Sequence, residues 1–236
     1  MSSYDQFAEI YDEWSAHMTA DVPFYVELAR EAEGPLVELA VGSGRVAIPV
    51  AQETGRAVIG IDSSPAMLAL ARERAAAAGV ELDLREADMR DLELEEPAAL
   101  VYCPFRALLH VPGWRDKRRV FERVAASLRP GGRFAWNAFV FDHEIAARHD
   151  GFAARHGRLW EYVEHSKGDN RIDVTAFGGE PGAEPRTVSI WWATRSEWEG
   201  LVDAAGLEVE ALFGWFDRRP FHDQSPEFVW IARRPS

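Results

Sequence analysis

Gly42-Ser43-Gly44 stands between an apolar run and a helical pattern. Glycines there let a backbone approach a ligand, and the N–H groups at a helix start can meet an anion. The stretch GSGRVA, residues 42–47, also fits the looser dinucleotide fingerprint G-x-G-x-x-A. Asp62 ends the next apolar run, 18 residues after Gly44, where a carboxylate can bridge the hydroxyls of a ribose; as a plain alternative it caps the following helix. Further on, Arg106 and His110 are four residues apart, a spacing that puts both on one side of a helical turn. Imidazole has a pKa suited to general-base work near neutrality. These two are the candidate catalytic residues, against the alternatives of a surface cation and a packed histidine. His143, His149, His156 and His165, with Asp142 and Glu144 nearby, match no zinc spacing and read as an exposed helix, so no metal is expected. Cys103 is the only cysteine, which excludes an internal disulfide and a thiolate zinc cluster and reads as packing at a strand end.

Positioning these groups requires a sheet with ligand-facing strand ends. Residues 5–16 place Phe7, Ile10, Tyr11 and Trp14 at helical spacing, and Asp21-Val22-Pro23 opens a second helix whose face is Phe24, Val26 and Leu28. From Pro35 the runs LVELA, VAIPVAQ, AVIGID and SPAMLALARERAAAAG spell a βαβ unit. Strands follow at 81–86 and 98–103, then a helix over 115–128 ending at Arg129-Pro130-Gly131-Gly132, then the strand RFAWNAF. Short apolar runs joined by helices predict a mainly parallel sheet covered on both faces. Between 157 and 193 the segments RLWEYVEH, RIDVTAF and TVSIWWA have connections too short for helical crossovers, so they predict an antiparallel insertion roofing the site. Ser196 with Glu199 reads as a capping box for a helix carrying Trp198, Leu201 and Val202, which Gly206 stops. Strands at 207–213 and 227–233 close the chain as an antiparallel hairpin at one sheet edge. The expected fold is α/β: a Rossmann-like, seven-stranded, mostly parallel sheet with an antiparallel final hairpin, N-terminal helices and an antiparallel β insertion acting as a lid. It forms one domain over 1–236, divided into N-terminal helices (1–33), core (34–140), insertion (141–195) and C-terminal helix and hairpin (196–236). Of Trp14, Trp136, Trp160, Trp191, Trp192 and Trp215, most belong to the core and a minority to an acceptor pocket.

Two hundred and thirty-six residues suit one domain with an insertion, and the apolar and charged fractions suit a globular chain. A net charge of −13 repels phosphate backbones and anionic lipid, so nucleic acid and membrane surfaces are not expected partners. Residues 1–20 lack a basic start and an apolar stretch, and no run of about 18 apolar residues occurs. Together with the single cysteine this points to a cytoplasmic protein.

The wider constellation discriminates among ligands. Glu38-Leu39-Ala40-Val41-Gly42-Ser43-Gly44-Arg45, Gly60-Ile61-Asp62-Ser63-Ser64-Pro65-Ala66-Met67-Leu68, Ala87-Asp88-Met89 and Leu128-Arg129-Pro130-Gly131-Gly132-Arg133-Phe134 together resemble the class I S-adenosylmethionine (SAM)-dependent methyltransferase family, of the small-molecule type. The resemblance covers residues 4–140 by motif and 196–233 by layout. It implies that Glu38 fixes the glycine loop and reaches toward the amino end of SAM, with Gly42, Ser43 and Gly44 passing beneath. It further implies that Arg45 pairs with the SAM carboxylate, Asp62 takes the ribose hydroxyls, Ser63 and Met67 flank the adenosine, Asp88 accepts the adenine amino group and Met89 lies near the ring. Tyr11 resembles an aromatic that closes over the cofactor. Ala40, Ala87 and Cys103 complete the implied cofactor set, Ala40 standing where the family usually has glycine. Core packing for Met67 and a staple between helices for Tyr11 stay open. The implied function is methyl transfer from SAM to nitrogen or oxygen of a small molecule, by in-line displacement, with S-adenosylhomocysteine as product. A nicotinamide-dependent oxidoreductase and a noncatalytic SAM-binding interaction protein are the alternatives, and a homodimer is compatible with all three.

Overall fold

The computed structural model describes residues 19–156, 159–166, 168–178 and 184–236. The expected first helix over 5–16, with Tyr11 and Trp14, lies outside them. Among the described residues the chain runs α1 (Val22–Glu31), β1 (Leu36–Leu39), α2 (Ala47–Thr54), β2 (Val58–Asp62), α3 (Pro65–Ala78), β3 (Leu82–Glu86) and β4 (Ala98–Cys103). It continues through α4 (Gly113–Ser127), β5 (Leu128–Phe139), α5 (His143–His149), β6 (Ala153–His156), β7 (Leu159–His165), β8 (Arg171–Gly178) and β9 (Arg186–Trp191). It ends with α6 (Arg195–Ala204), β10 (Glu208–Phe213) and β11 (Glu227–Arg233). Short 3-10 turns occupy Met89–Asp91 and Ala107–His110.

Seven strands form one sheet in the order β10-β11-β5-β4-β1-β2-β3. The pairs β1–β2, β2–β3, β1–β4 and β4–β5 are parallel, and β11 is antiparallel to both β5 and β10. The final hairpin therefore closes one edge as expected, with its second strand inserted next to β5. Burial explains why the inner strands read as continuous apolar runs. Val37, Leu39, Val101 and Cys103 pack with Phe121, Trp136, Trp198, Leu201 and Trp230 on one face, under α4 and α6. Leu36, Leu100 and Tyr102 pack with Phe24, Tyr25, Leu28 and Val50 on the other, under α1 and α2. Alternate residues of one strand thus serve two cores. Trp136 stacks on Trp230 with ring centroids 5.8 Å apart and meets Phe121 edge-on at 5.0 Å, a packing role in keeping with the expectation for most tryptophans.

The insertion is a separate four-stranded antiparallel sheet, β6-β7-β8-β9, one strand more than its three apolar segments suggested. The extra strand β6 corrects the single exposed helix expected across the histidines. Only His143 and His149 lie in α5; His156 and His165 lie in strands. Asp142 caps that short helix by accepting from Glu144 and Ile145 N–H, and Asp150 already sits in extended backbone at its end. No group of His, Cys, Asp and Glu suited to a metal occurs among the described residues. The cap of α6 is also shifted. Thr194, not Ser196, accepts the Glu197 N–H while Glu197 accepts the Thr194 N–H at 2.7 Å, because Thr194-x-x-Glu197 fits the same pattern two residues earlier. Among the described residues no helix is long and apolar enough to cross a membrane.

Candidate functional site

The carboxyl ends of β1 and β4 turn away from each other, since β1 leads toward β2 and β4 toward β5, and such a divergence opens a crevice. An open cleft of about 840 Å³ lies there, lined from β1 by Ala40 and Gly42, from β2 by Ile61, Asp62 and Ser63, and from α3 by Met67. Ala87, Asp88, Met89 and Arg90 follow β3, and Pro104, Phe105, Ala107, His110, Val111 and Pro112 follow β4. Eight of the fourteen residues expected at the cofactor therefore converge on one cleft, together with His110.

The glycine loop needs left-handed backbone at three places: Ala40 (φ 53°), Gly42 (φ 54°) and Gly44 (φ 81°). At Gly44 a side chain would be strained by the positive φ, and its Cβ, 2.9 Å from Ile48 Cδ1, would also make that side chain shift. Ala40 holds the same class of angle with a methyl group, a strained choice where the resembling family has glycine. Asp62 ties the loop down: Oδ2 accepts the Gly42 N–H and Oδ1 the Ser64 N–H, each at 2.8 Å. It is not the helix cap. Ser64 is, accepting from Met67 N–H at 3.2 Å. Met67 is buried and also forms part of the cleft wall, so packing and lining coincide in one side chain.

On the opposite bank Asp88 accepts the Arg90 backbone N–H at 2.8 Å and its guanidinium at 2.6 Å, and this partnership holds its carboxyl below the usual range. Arg90 reaches on to Asp116 of α4 at 2.6 Å. The adjacent Lys117 is buried, and its ammonium donates to the Val111 carbonyl. Desolvation lowers it to about 7. Neither Arg90 nor Lys117 was found from the sequence, although Arg90 directly follows the Ala87-Asp88-Met89 motif.

Glu38, Ser43, Gly44, Arg45 and Cys103 do not line the cleft. Glu38 is buried in β1, paired in register with Gly60 and Tyr102 on either side. Burial pushes its carboxyl well up, opposed by Tyr102 and Arg45. Glu38 Oε2 and Ser43 Oγ have no hydrogen-bond partner among the described residues. A buried carboxyl and hydroxyl left unsatisfied around a glycine loop fit a ligand carrying an ammonium group, which the methionine part of SAM has. Cys103 is buried at the end of β4, and its thiol is pushed up by desolvation, so it packs as expected of a strand end.

Both arginines are engaged by buried carboxylates of the protein itself. Arg45 gives its fork to the buried Asp21 at the start of α1, at 2.8 and 2.6 Å, and its Cζ lies 4.7 Å from the centroid of the Phe105 ring. Arg106 does not share a helical face with His110: it precedes the 3-10 turn in a left-handed conformation, φ 60°. Its guanidinium binds both oxygens of the fully buried Glu227, at 3.0 and 2.7 Å. A buried carboxylate is a stronger claim on an arginine than a site open to water. His110 stays at the cleft, but desolvation pulls its pKa down to about 4, with the Ser189 backbone of β9 opposing and the Lys117 charge adding to the fall. A titration near 6.5 is the ordinary expectation for imidazole, and this one is displaced by desolvation and by the nearby Lys117 charge. Among the described residues no tryptophan lines this cleft; Trp192 instead stacks on Phe141, centroids 4.1 Å apart.

Residues 36–132 match a family model described as a methyltransferase domain. A demethylmenaquinone methyltransferase of Thermus thermophilus is 34% identical over 113 residues, 46% of this chain and 49% of that protein, so the aligned part spans about half of that relative. A dTDP-4-amino-2,3,4,6-tetradeoxy-D-glucose N,N-dimethyltransferase of Saccharopolyspora spinosa is 27% identical over 88% of this chain and 87% of its own. Among solved structures, the CcbJ methyltransferase of Streptomyces caelestis superposes with a TM-score of 0.86 at 25% identity, covering 100% of this chain and 99% of that one.

Proposed function

We propose that the chain is a class I SAM-dependent methyltransferase of small molecules and that it transfers a methyl group from SAM to an amine nitrogen of a small acceptor. The observation that carries the reading is the convergence of Ala40, Gly42, Asp62, Asp88 and Met89 on one strand-end cleft, with Asp62 tied to the glycine loop. SAM bound there supplies an electrophilic methyl group on a sulfonium. The protein's part is alignment and exclusion of water.

In this reading Asp62 receives the ribose hydroxyls on lone pairs not used by Gly42 and Ser64, and Asp88 receives the adenine amino group beside Met89. Glu38 balances the ammonium of the methionine part, and Ser63 and Ala87 border the adenosine. His110 and Phe105 form the wall nearest the acceptor. With a pKa of about 4, His110 is neutral at pH 7 and too weak a base to ionise a hydroxyl, which favours an acceptor that needs no base once deprotonated in water. The Saccharopolyspora relative, aligned along nearly the whole chain, is named for an N-methylation and supports the same choice.

Calorimetric titration with S-adenosylhomocysteine, beside NAD and NADP, tests the cofactor. Binding of the first alone is expected, and Asp62→Ala should weaken it by roughly 1.5–3 kcal/mol for a lost charge-assisted bond. An unchanged affinity in the folded variant removes Asp62 from the ribose. Turnover against a panel of small amines and phenols should show methylated amines, with no rate limb near pH 6.5 traceable to His110. A limb at that pH that vanishes in His110→Gln restores the general-base role.

A further inference from the structure

We propose that Glu227, at the start of β11 and outside the cleft, is a positioning residue that holds the cleft wall Pro104–Ala107 in place through Arg106. The proposal rests on the reading of that cleft as the SAM site. It begins from backbone conformation. Phe105 (φ 56°) and Arg106 (φ 60°) are two successive non-glycine residues in the left-handed region, and only Ala40 and Arg218 share that feature among the described residues. Such conformations persist only where surroundings over-determine them, and they gather at ligand-contacting sites. Pro104, Phe105 and Ala107 line the cleft; Arg106 does not.

What holds this pair is built from distant elements. Arg106 grips Glu227 with Nε and Nη2, at 3.0 and 2.7 Å, and its Cζ lies 5.5 Å from the centroid of the Phe139 ring. Glu227 is fully buried, so it cannot exchange this partner for water. Asn137 of β5 fixes the carboxylate from the other side, donating to Oε1 at 2.6 Å, and its own Oδ1 accepts the Tyr25 phenol of α1 at 3.0 Å. Tyr25 is in turn stacked on Tyr102, 5.4 Å between centroids. The network therefore reaches the strained wall from β5, β11 and α1, while Arg45 of the glycine loop covers Phe105. A surface ion pair would leave Arg106 free to relax, but a buried bidentate acceptor fixed by a third side chain does not.

Hydrogen–deuterium exchange of ligand-free protein over residues 104–110, with S-adenosylhomocysteine affinity by calorimetry, tests the brace in wild type, Glu227→Gln and the double variant Glu227→Gln/Arg106→Gly. Glu227→Gln should speed exchange in that segment and weaken affinity by about tenfold, a size usual for coupling through a contact network. The double variant should regain affinity to within about threefold of wild type, because glycine takes a positive φ without strain and no longer needs the grip. If Glu227→Gln does not fold, Arg106→Lys keeps the charge without the fork and should shift both readouts in the same direction, less far. Unchanged exchange and affinity in a folded variant would overturn the proposal, as would a double variant no better than the single. Wild-type protein that binds no S-adenosylhomocysteine would sink the cofactor reading instead, and exchange in the ligand-free chain would still decide the brace.

Discussion

At the scale of the residue, the most informative atom is Glu38 Oε2, buried and without a partner among the described residues. A carboxyl raised by desolvation is protonated over a wider pH range than usual, and an arriving ammonium reverses that by favouring the ionised form. Binding of S-adenosylhomocysteine should therefore release protons, and affinity should strengthen as pH rises toward the raised pKa of Glu38. Titration calorimetry in buffers of different ionisation enthalpy measures this directly. Glu38→Gln should abolish the buffer dependence, and a release that survives the substitution would assign it to another group. Asp62 works at the same scale by opposite means. Its charge is already shared by two backbone N–H groups, so the geometry of the glycine loop and of any ribose above it come from one side chain.

At the scale of the element, α4 does more than cover the sheet. Asp116 and Lys117, consecutive on its first turns, brace opposite banks of the cleft, one through Arg90 to Asp88 and the other through the Val111 carbonyl. The burial of Lys117 has a pH signature with a definite sign. Its folded pKa is about 7 against an unfolded value near 10.5, so below pH 7 both states carry the proton and the cost of a buried charge is complete. Between about 7 and 10.5 the unfolded chain binds more protons than the folded one, and this group's contribution makes stability rise with pH at up to about 1.4 kcal/mol per unit. Lys117→Met should flatten that rise between pH 7 and 9, at the expense of an unsatisfied Val111 carbonyl worth about 1–3 kcal/mol. Urea midpoints followed across pH in both proteins test it; parallel curves would mean that Lys117 stays charged through the window.

At the scale of the whole molecule, sequence and tertiary structure divide the site along a physical line. The convergence of Ala40, Gly42, Asp62, Asp88 and Met89 on one cleft was legible because these groups sit in short strand–turn–helix segments whose geometry is local. A glycine loop after β1, an aspartate ending β2 and an aspartate after β3 reach one edge of any parallel sheet, since parallel strands all end on the same side. The two-face burial of β4 was legible for the same reason, as a run without charged interruption, and that of β1 was legible in spite of Glu38. The capping box of α6 was half legible, because two overlapping patterns differ only in which backbone turn closes first. Charge partnership was not legible at all. Arg45 finds Asp21 across 24 residues and Arg106 finds Glu227 across 121, and no spacing rule connects such pairs. Nor could composition reveal that tertiary packing would desolvate His110 and draw its pKa from the ordinary 6.5 to about 4, against the opposing hydrogen bond of the Ser189 backbone in β9. Residue types and short spacings determined which groups reach the strand-end cleft, because they act through the chain's own turns. Which cations stay at the cleft, and in what protonation state, was decided only by tertiary packing, because burial and Coulomb partners depend on distance in space and not along the chain.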